Sequence, residues 1–451
     1  MGFATAEKTK TARSVTAAFV SLGCFKNVVD TEVLGGLLEK KGIKIVSTYE
    51  PADWLIINTC GFIRDAQEES IDEILAGLEK KEKGEIKHIA VFGCLIQRYY
   101  RDLKASFPSA DILWGVNDME ELADLIRRNE TGDYADRKLY LYSDQDRRIV
   151  STTPNTTFIK ISEGCDMTCS FCSIPRIRGQ YRSRPIASIV KEAEKFRGMG
   201  FSELNLISQN SSSYGKDTEK KQLLPELLQA ISQIGFPWVR VFYMMPEEVN
   251  DEILESFAFP SIIPYFDLPF QHVSPVVLKA MKRGGGFQKN LELISRIRRR
   301  FNDSVIRSTF ITGFPGEGER EFGELLRFAR MSGIERIGVF GFSAEEGTEA
   351  FTLRKQADPA VGEKRKVRLM DVSDKNLRKY NQRLVNTEQD FLPLGPWKTD
   401  STIGRIKSQA PEVDGLTEVN RKFDDSFQMY RIRITRFQNE MLFGERTGKK
   451  G

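Results

Sequence analysis

The six cysteines of this 451-residue chain form a compact group and a dispersed group, and both spacings suit metal binding. No cysteine follows residue 172, whereas scattered structural cysteines would be spread more evenly. An even number permits disulfides, but a long chain without a secretory signal is expected in a reducing compartment, where grouped cysteines more often bind metal. The chain has only two histidines, which disfavours a histidine-rich zinc site. The cysteines are Cys24, Cys60, Cys94, Cys165, Cys169 and Cys172.

The compact group, Cys165, Cys169 and Cys172, lies in a single chelating loop, GCDMTCSFC, directly after a predicted strand. Thiolates are the usual ligands of iron–sulfur clusters. A cubane cluster has four irons, so three cysteines leave one iron free of protein ligands and able to bind an external molecule. A zinc site completed by a distant fourth ligand is the competing interpretation.

In the dispersed group, each cysteine directly follows a predicted strand. Cys24 follows AAFVSLG, Cys60 follows DWLIINT and Cys94 follows HIAVFG. The gaps of 36 and 34 residues each suit one strand–helix–strand step. Because parallel strands present their carboxyl ends at one edge of the sheet, we expect the three thiols to converge there. The alternative is that each cysteine is a small buried apolar residue at a strand end.

The elements that would position these cysteines indicate an α/β protein with three domains. Residues 14–148 alternate strands (TAAFVSLG, WLIIN, HIAVFG, ADILWG) with helices, one of them capped by Asp30 and ended by Gly42, which predicts a parallel α/β domain. Residues 152–385 contain six further βα repeats, which predict a partial barrel. Residues 386–451 change to alternating apolar and polar positions, which predicts a small antiparallel β-barrel.

Composition narrows the functional classes. Charged residues make up 29% of the chain with a net charge of +4, a balance too mild to imply nucleic-acid binding by itself. No apolar run is long enough to cross a bilayer, and the polar N-terminus does not resemble a signal peptide. We therefore expect a soluble cytoplasmic protein with no membrane partner.

Four segments together resemble the methylthiotransferase family of radical-SAM enzymes. SLGCFKNVVDTE at 21–32, NTCGFIRDAQEES at 58–70 and FGCLIQRYY at 92–100 are similar to its N-terminal domain. KISEGCDMTCSFCSIPRIRGQYRSRP at 160–185 is similar to its radical-SAM loop. The C-terminal segment resembles a TRAM domain, so the resemblance covers nearly the whole chain.

The resemblance implies two [4Fe–4S] clusters and S-adenosylmethionine (SAM) as cofactors. Cys165, Cys169 and Cys172 would bind the cluster whose open iron chelates SAM, and Cys24, Cys60 and Cys94 would bind the cluster that carries the inserted sulfur. It further implies a SAM pocket with Phe171 near the adenine, Glu203 and Gln209 after the second strand of the barrel, and Arg240 in the third. The implied pocket residues are Phe171, Glu203, Gln209, Arg240, Gln271, Thr309, Gly313 and Glu317. For Glu203 and Arg240, a solvated charge or a charge that caps the barrel is an equally good interpretation.

The resemblance also implies the reaction. One SAM methylates sulfur on the second cluster, and another is cleaved to a radical that abstracts hydrogen from an unactivated carbon, which then takes up the methylthio group. An external electron donor, such as flavodoxin or ferredoxin, is needed.

Within the family, one branch modifies an aspartate of a small-subunit ribosomal protein and the other modifies an adenosine of transfer RNA. SLGCFKN, EEGTEA at 345–350 and QAPEVDGLTEV at 409–419 resemble the protein-modifying branch, although Phe25 replaces the usual proline. Asn210 stands where an aspartate is common, so no charge role is assigned there. We therefore expect a ribosomal-protein aspartate methylthiotransferase, with transfer RNA as the alternative substrate.

The charge of the tail agrees with a protein substrate. From residue 386 onward there are eleven Lys or Arg and ten Asp or Glu, whereas an RNA-binding domain usually has a clear excess of basic residues. Its aromatic residues alternate as core positions rather than forming a base-stacking platform. Those aromatic residues are Phe423, Phe427, Tyr430, Phe437 and Phe443.

Two further alternatives stay open. The arginines after the radical loop could contact RNA, a protein substrate or the SAM carboxylate, or could simply be solvated; they are Arg176, Arg178, Arg182 and Arg184. A non-catalytic electron-transfer protein is the third functional class, but it would need four-cysteine sites, and only three cysteines stand in each group.

Overall fold

The computed structural model describes residues 15–48, 50–133, 139–152, 155–354, 358–423 and 428–449. The chain divides into two compact units, the first ending at Ile149 and the second beginning at Val150. The boundary expected near residue 385 lies within the second unit and stays a prediction. In the described part of the chain, no helix combines the length and the apolar composition that crossing a bilayer requires.

The first unit is built on a six-stranded parallel sheet with the strand order β2-β1-β3-β4-β5-β6. The predicted parallel α/β domain is confirmed, and each of its four expected strands is present. The elements are β1 (Thr16–Ser21), α1 (Phe25–Lys40), β2 (Lys44–Val46), β3 (Trp54–Thr59), α2 (Arg64–Glu82), β4 (His88–Gly93), α3 (Cys94–Ser106), β5 (Ile112–Trp114), α4 (Met119–Arg128) and β6 (Gly132–Asp133).

The first helix begins earlier than its sequence pattern predicts. Asp30 was expected to cap it, but α1 starts at Phe25 and Cys24 is its N-cap residue. Phe25 and Val29 are both buried, so the apolar face extends one turn closer to the preceding strand than the leucine spacing indicates. The helix therefore begins directly at the first cysteine.

The second unit begins with six parallel strands in chain order. The six predicted βα repeats are confirmed, and helices follow each of the strands β7, β10, β11, β12, β13 and β14. The elements are β7 (Thr156–Lys160), β8 (Ser162–Glu163), α5 (Ile174–Arg178), β9 (Arg182–Ser183), α6 (Ile186–Gly198), β10 (Glu203–Ile207), α7 (Lys216–Glu219), α8 (Leu224–Ser232), β11 (Trp238–Val241), α9 (Asp251–Ser256), β12 (Tyr265–Asp267), α10 (Pro275–Met281), α11 (Phe287–Arg300), β13 (Val305–Thr312), α12 (Glu319–Ser332), β14 (Arg336–Gly341) and α13 (Pro359–Leu384).

These six strands form two three-stranded sheets, β11-β10-β7 and β12-β13-β14. A parallel bridge between Val239 and Ile262 lies where the two sheets meet. One face of the strands packs on the surrounding helices: Phe310 of β13, for example, contacts Phe328 of α12 edge to face, with ring centroids 6.1 Å apart. On the opposite face of β13, Arg307 and Thr309 are partly exposed.

The C-terminal segment closes five strands into a ring in the order β15-β16-β17-β19-β18. The predicted antiparallel pairing holds for every contact except β17 with β19, which is parallel. Phe423 packs on Phe391 and Tyr430 as an apolar residue would, and the expected core residue Phe427 lies outside the described residues. The strands are β15 (Glu388–Pro396), β16 (Thr402–Ile406), β17 (Thr417–Val419), β18 (Tyr430–Gln438) and β19 (Met441–Lys449).

A buried ion network joins this ring to the amino ends of the parallel strands. Glu203, the first residue of β10, accepts hydrogen bonds from Arg240 (3.2 Å) and from Arg405 of the ring. Arg240 in turn donates to the backbone oxygen of Lys407 (3.2 Å). Burial raises the pKa of Glu203, but the charges of Arg405 and Arg240 lower it below its ordinary value.

This network corrects the expected position of Glu203, whereas Arg240 lies in the third parallel strand, β11, as expected. Glu203 begins its strand instead of following it, so it lies at the end opposite the carboxyl edge where ligands bind. The interaction that explains the position of Glu203 is its contact with Arg405. No local sequence pattern reveals this contact, because Arg405 is distant in the chain. Glu203 and Arg240 both bind the ring to the parallel strands.

Replacing Glu203 with glutamine is expected to lower the free energy of unfolding of the second unit by about 3–5 kcal/mol, since two buried guanidinium groups lose their counter-charge. Urea denaturation followed by fluorescence measures the change. Glu226→Gln is the matched control, because Glu226 pairs with Lys221 on the surface and its side chain is 44% exposed. Equal denaturation midpoints for Glu203→Gln and the unmodified protein would contradict this role.

Candidate functional site

The three dispersed cysteines come together at the carboxyl edge of β1, β3 and β4, as the strand spacing predicts. These strands are adjacent in the sheet, and Ser21 pairs with Asn58 while Thr59 pairs with Gly93. A Cβ placed on Gly23 would lie 2.7 Å from the Cβ of Cys60. Only glycine permits this approach, and its φ of +89° also favours glycine.

Gly61, directly after Cys60, makes a similarly close approach to the segment of the third cysteine. A Cβ on Gly61 would lie 2.7 Å from the Cα of Leu95 and 2.9 Å from the carbonyl carbon of Cys94. The Cys60 and Cys94 segments are therefore packed backbone against backbone, and the Cys24 segment packs against the Cys60 side chain. Cys24 and Cys94 also stand at the N-terminal ends of α1 and α3, where helix dipoles favour negatively charged ligands such as thiolates.

Asn27 connects these three segments. Its amide nitrogen donates to the backbone oxygens of Leu22 (2.8 Å) and Thr59 (3.1 Å), which precede the first two cysteine positions. Its side-chain oxygen accepts from the Cys94 thiol at 3.7 Å. Asn27 is fully buried, and sequence analysis did not single it out. Its position three residues after Cys24 was the available signal.

The compact group lies on the loop after β8, where the backbone is tightly held. The Cys165 N–H donates to the Gly179 oxygen at 3.1 Å. Gly164 has a φ of +79°, and a Cβ there would lie 2.0 Å from the Gln180 oxygen. The loop therefore closes back on the segment that follows α5.

Ser170 anchors the same loop from the other side. Its N–H donates to the Met281 oxygen at 3.1 Å, and its hydroxyl donates to the Ala280 oxygen at 2.7 Å. The backbone oxygen of Ser170 accepts a hydrogen bond from the Ala350 N–H at 2.7 Å. The loop is thus fixed to the end of α10 and to the segment after β14.

Burial disfavours charge on these three thiols. It raises the pKa of Cys165 to about 11 and that of Cys172 to about 12. It also raises the pKa of Cys169, against the opposing effect of the nearby Arg283 guanidinium. Thiolates at this site therefore need a compensating positive charge, which a bound metal cluster provides.

Arg283 is held in place by Glu247, and sequence analysis missed both residues. The guanidinium makes a two-pronged contact with the Glu247 carboxylate at 2.9 and 3.2 Å, and it also donates to the Pro269 oxygen at 3.0 Å. No local motif marks either residue, because Glu247 follows β11 and Arg283 follows α10. Their meeting depends on the tertiary fold.

Glu163, two residues before the compact group, forms a second buried ion cluster. It accepts from Lys160 at 2.7 Å, from Arg178 at 3.1 Å and from the predicted pocket residue Gln209 at 3.0 Å. Burial raises its pKa, but the charges of Arg178 and Lys160 lower it below the ordinary range. Gln209 therefore does lie beside the radical loop.

Two of the four arginines after the loop are buried in ion pairs. Arg178 pairs with Glu163, and Arg184 pairs with Glu192 at 2.7 Å. Arg178 and Arg184 are therefore not solvated cations that could contact RNA. Only the other two arginines of the group, Arg176 and Arg182, remain for that role.

Gln271 and Thr309 meet at the carboxyl edge of β12 and β13. The Gln271 N–H donates to the Thr309 oxygen at 2.9 Å. Gln271 has a φ of +65°, a strained backbone conformation that is concentrated at functional sites. The structure therefore brings these two predicted residues together.

Gly313 and Glu317 form a turn directly beyond β13. The Gly313 N–H donates to one Glu317 oxygen at 3.0 Å, and Arg365 donates to the same oxygen at 2.7 Å. The other oxygen lies 3.1 Å from Nε2 of His272. Because Nδ1 of His272 accepts from the Ser274 N–H, Nε2 carries the proton and donates to Glu317. With both oxygens engaged by protein donors, Glu317 holds the turn in shape.

Phe171 lies against an apolar cluster that includes Met281, Phe314 and Ala350. Its ring meets that of Phe314 edge to face, with centroids 6.3 Å apart. Nearby, Gly313 lines a cavity of about 380 Å³ beyond the ends of β13 and β14. Six of the eight predicted pocket residues therefore lie at or near the carboxyl edge, whereas Glu203 begins its strand and Arg240 binds Glu203 and the ring.

The donor chemistry of both sites fits iron–sulfur clusters. Among the residues that the structure describes, no three histidine, cysteine, aspartate or glutamate side chains surround a point as ligands of a single ion do. Cluster ligands bind different irons and stand farther apart. Three thiols in each site fit a cubane with one iron left for another ligand.

Family models match two parts of the chain. Uncharacterized protein family UPF0004 matches residues 16–115, and the Radical SAM superfamily matches residues 159–329. These ranges contain the dispersed and the compact cysteines, respectively.

Curated relatives match nearly the whole chain. A protein named ribosomal protein uS12 methylthiotransferase RimO, from Syntrophomonas wolfei, is 38% identical over 90% of this chain and 93% of its own. The protein of the same name from Symbiobacterium thermophilum is 38% identical over 96% of this chain and 92% of its own.

Among solved structures, the radical S-adenosylmethionine methyltransferase TsrM from Kitasatospora setae is similar in fold, with a TM-score of 0.54 and 14% identity. The similarity covers 73% of each chain.

Replacing Asn27 with alanine is expected to lower the free energy of unfolding of the first unit by about 1–3 kcal/mol, because buried backbone oxygens lose their donor. Reaction of the metal-free protein with a thiol reagent should also become faster at Cys94. Urea denaturation and reagent kinetics measure both effects. Ser106→Ala is the control, since it removes one hydrogen bond from an exposed residue. Unchanged stability and reactivity would show that Asn27 does not join the segments.

Proposed function

The chain belongs to the ribosomal protein uS12 methylthiotransferase (RimO) family of radical-SAM enzymes, and from that membership we propose that it adds a methylthio group to the β-carbon of an aspartate in ribosomal protein uS12. The observation that carries the proposal is the presence of two separate three-thiol sites in a chain that matches these enzymes over nearly its full length. An electron-transfer protein, the third functional class considered, does not fit this membership.

Two [4Fe–4S] clusters and SAM are the proposed cofactors. Cys165, Cys169 and Cys172 would hold one cluster, and Cys24, Cys60 and Cys94 would hold the other. The bound cofactors supply the one-electron and radical chemistry together with the methylthio group, and the protein positions them. A flavodoxin or ferredoxin is the proposed source of electrons.

In the second unit, the protein itself contributes a rigid and largely buried loop that carries Cys165, Cys169 and Cys172. Ser170 fixes the loop to two neighbouring segments, and Gly164 lets it close tightly. Glu163, two residues before Cys165, neutralises Lys160 and Arg178 and binds Gln209. Arg283 places a fixed positive charge beside Cys169, which stabilises the thiolate that a cluster requires.

The proposed SAM pocket lies at the carboxyl edge around this loop. Gln209, Gln271 and Thr309 contribute polar groups there, and Phe171 supplies an apolar surface. Gly313 leaves room beside the cavity, and Glu317 shapes its turn through hydrogen bonds to Gly313, His272 and Arg365. Glu317 is therefore proposed as a positioning residue.

In the first unit, the protein holds three thiols at one sheet edge. Asn27 keeps their segments in register, and the adjacent glycines allow the backbones to touch. The helix N-termini at Cys24 and Cys94 favour the negative charge of coordinated thiolates. These features support a preorganised cluster site.

A protein substrate is favoured over transfer RNA. The curated relatives described above carry a ribosomal-protein name, and Arg178 and Arg184 are engaged in buried ion pairs. The near-neutral charge of the C-terminal ring supports the same choice. Since ribosomes supply the substrate, the proposal places the enzyme in the cytoplasm.

The two cysteine sets are expected to have separable roles. Anaerobic reconstitution should give about eight irons per chain, and a Cys165, Cys169 and Cys172 triple alanine variant should keep about four and lose SAM cleavage. A Cys24, Cys60 and Cys94 triple alanine variant should also keep about four, yet still cleave SAM without attaching methylthio groups. Iron assay, 5′-deoxyadenosine release and mass spectrometry measure the three properties.

Two outcomes would contradict these roles. A full iron content in either triple variant would show that the replaced thiols do not bind a cluster. Retained methylthiolation without Cys24, Cys60 and Cys94 would remove the sulfur-carrying role from the first unit.

A further inference from the structure

One charged side chain in the second unit faces the ligand side of the strands and has no role in the sites described so far. Along β13, buried residues alternate with partly exposed ones, and the partly exposed residues are Arg307, Thr309 and Ile311. The buried neighbours Ile306 and Phe310 pack into the core between the strands and the helices. Arg307 and Thr309 therefore point to the opposite, polar face.

This face leads to the radical loop. Ile311 packs against the apolar cluster of Met281 and Phe314, and Phe171 of the loop packs against the same cluster. Thr309 lies between Ile311 and Arg307 on that face and bonds to Gln271 at the carboxyl edge. Arg307 is thus on the surface that runs from the loop into the space between the strands.

Arg307 is positioned by Asp267, the last residue of β12. Nη1 of Arg307 donates to Asp267 at 2.8 Å, and the Tyr243 N–H donates to the other Asp267 oxygen at 3.0 Å. Tyr243 lies just beyond the end of β11 and has a φ of +59°. Asp267 therefore lies at the carboxyl ends of β11 and β12, Arg307 reaches it from the third residue of β13, and a strained backbone residue completes the arrangement.

The arginine is the more exposed partner of this pair. The Arg307 side chain is 19% exposed, whereas that of Asp267 is 1% exposed. Within the described residues, Asp267 is the one carboxylate that pairs with Arg307. An arginine presents five donors in a planar fork that matches a carboxylate, so one bond to Asp267 fixes its direction and leaves donors for a ligand.

We propose that Arg307 binds the carboxylate of the substrate aspartate, with Asp267 as the residue that positions it. This inference rests on the proposed function. It assigns to Arg307 the recognition of an acidic protein side chain, which a nucleobase could not replace. Binding the carboxylate holds the adjacent β-carbon in a fixed direction for hydrogen abstraction. The carboxylate of SAM has the same chemistry and is the alternative occupant.

A double-mutant cycle tests the contact directly. Reconstituted holoenzyme with SAM is titrated with labelled uS12, either unmodified or with the target aspartate, located by mass spectrometry, replaced by asparagine. Arg307→Gln is expected to weaken binding of unmodified uS12 by about 10- to 100-fold, the usual effect of losing a charge-assisted bond. It should leave the affinity for the asparagine form nearly unchanged, and kcat/KM should fall in parallel.

Controls separate this contact from structural damage. Arg320→Gln, which removes an exposed arginine from the same unit, should change neither affinity. SAM binding by equilibrium dialysis should be unchanged in Arg307→Gln. Because that variant leaves Asp267 buried beside a neutral group, Arg307→Lys is the second variant: it keeps the charge, loses the fork and should lower the preference for aspartate over asparagine at least several-fold.

Equal weakening of both uS12 forms by Arg307→Gln and an intact aspartate preference in Arg307→Lys would overturn the inference. Lost SAM affinity with the uS12 preference intact would assign the carboxylate to SAM, and so would also overturn it. If the unmodified holoenzyme neither binds nor modifies uS12, the proposed function fails and this inference with it. Modification of uS12 without coupling to Arg307 would defeat this inference alone.

Discussion

Parallel strands deliver residues that are distant in sequence to a common edge, and both thiol sites depend on this geometry. In the first unit, three strands each end at a cysteine, and only their adjacency in the sheet makes a site. In the second unit, the cysteines are local, but the residues that hold their loop come from the ends of several strands and helices. Thiols that are to bind a cluster must converge without filling the space between them, and glycines beside Cys24 and Cys60 let the backbones approach closely enough.

Buried polar groups then fix what the sheet edge brings together. Asn27 ties three cysteine segments, Glu163 neutralises two cations under the radical loop, and Glu317 holds the turn after β13. Each of these side chains has its hydrogen-bonding groups engaged by defined partners, and breaking one would leave a buried polar group unsatisfied. At the opposite end of the strands, Glu203 does the same for the C-terminal ring. In the second unit, buried charges thus organise both the edge that carries the compact cysteine loop and the edge that carries the ring.

Much of this organisation could be predicted from the sequence, because strand periodicity and cysteine spacing are local signals. The order of the βα units, the convergence of Cys24, Cys60 and Cys94, and the chelating loop all followed from such patterns. Glu203 was expected after its strand but begins it, because its partner Arg405 is distant in the chain and leaves no local signal. Asn27, Arg283 and Arg307 were not singled out because their roles depend on contacts between segments that only the folded chain brings together.

Whether this chain modifies a ribosomal protein can be measured by mass spectrometry of ribosomal protein uS12 and of transfer RNA from cells that lack the chain, with and without a restored copy. We expect uS12 from the deletion strain to be lighter by one methylthio group at a single aspartate. We expect the restored copy to return this group and transfer RNA to be unchanged. Fully modified uS12 together with a missing methylthio group on a transfer RNA adenosine would contradict this expectation.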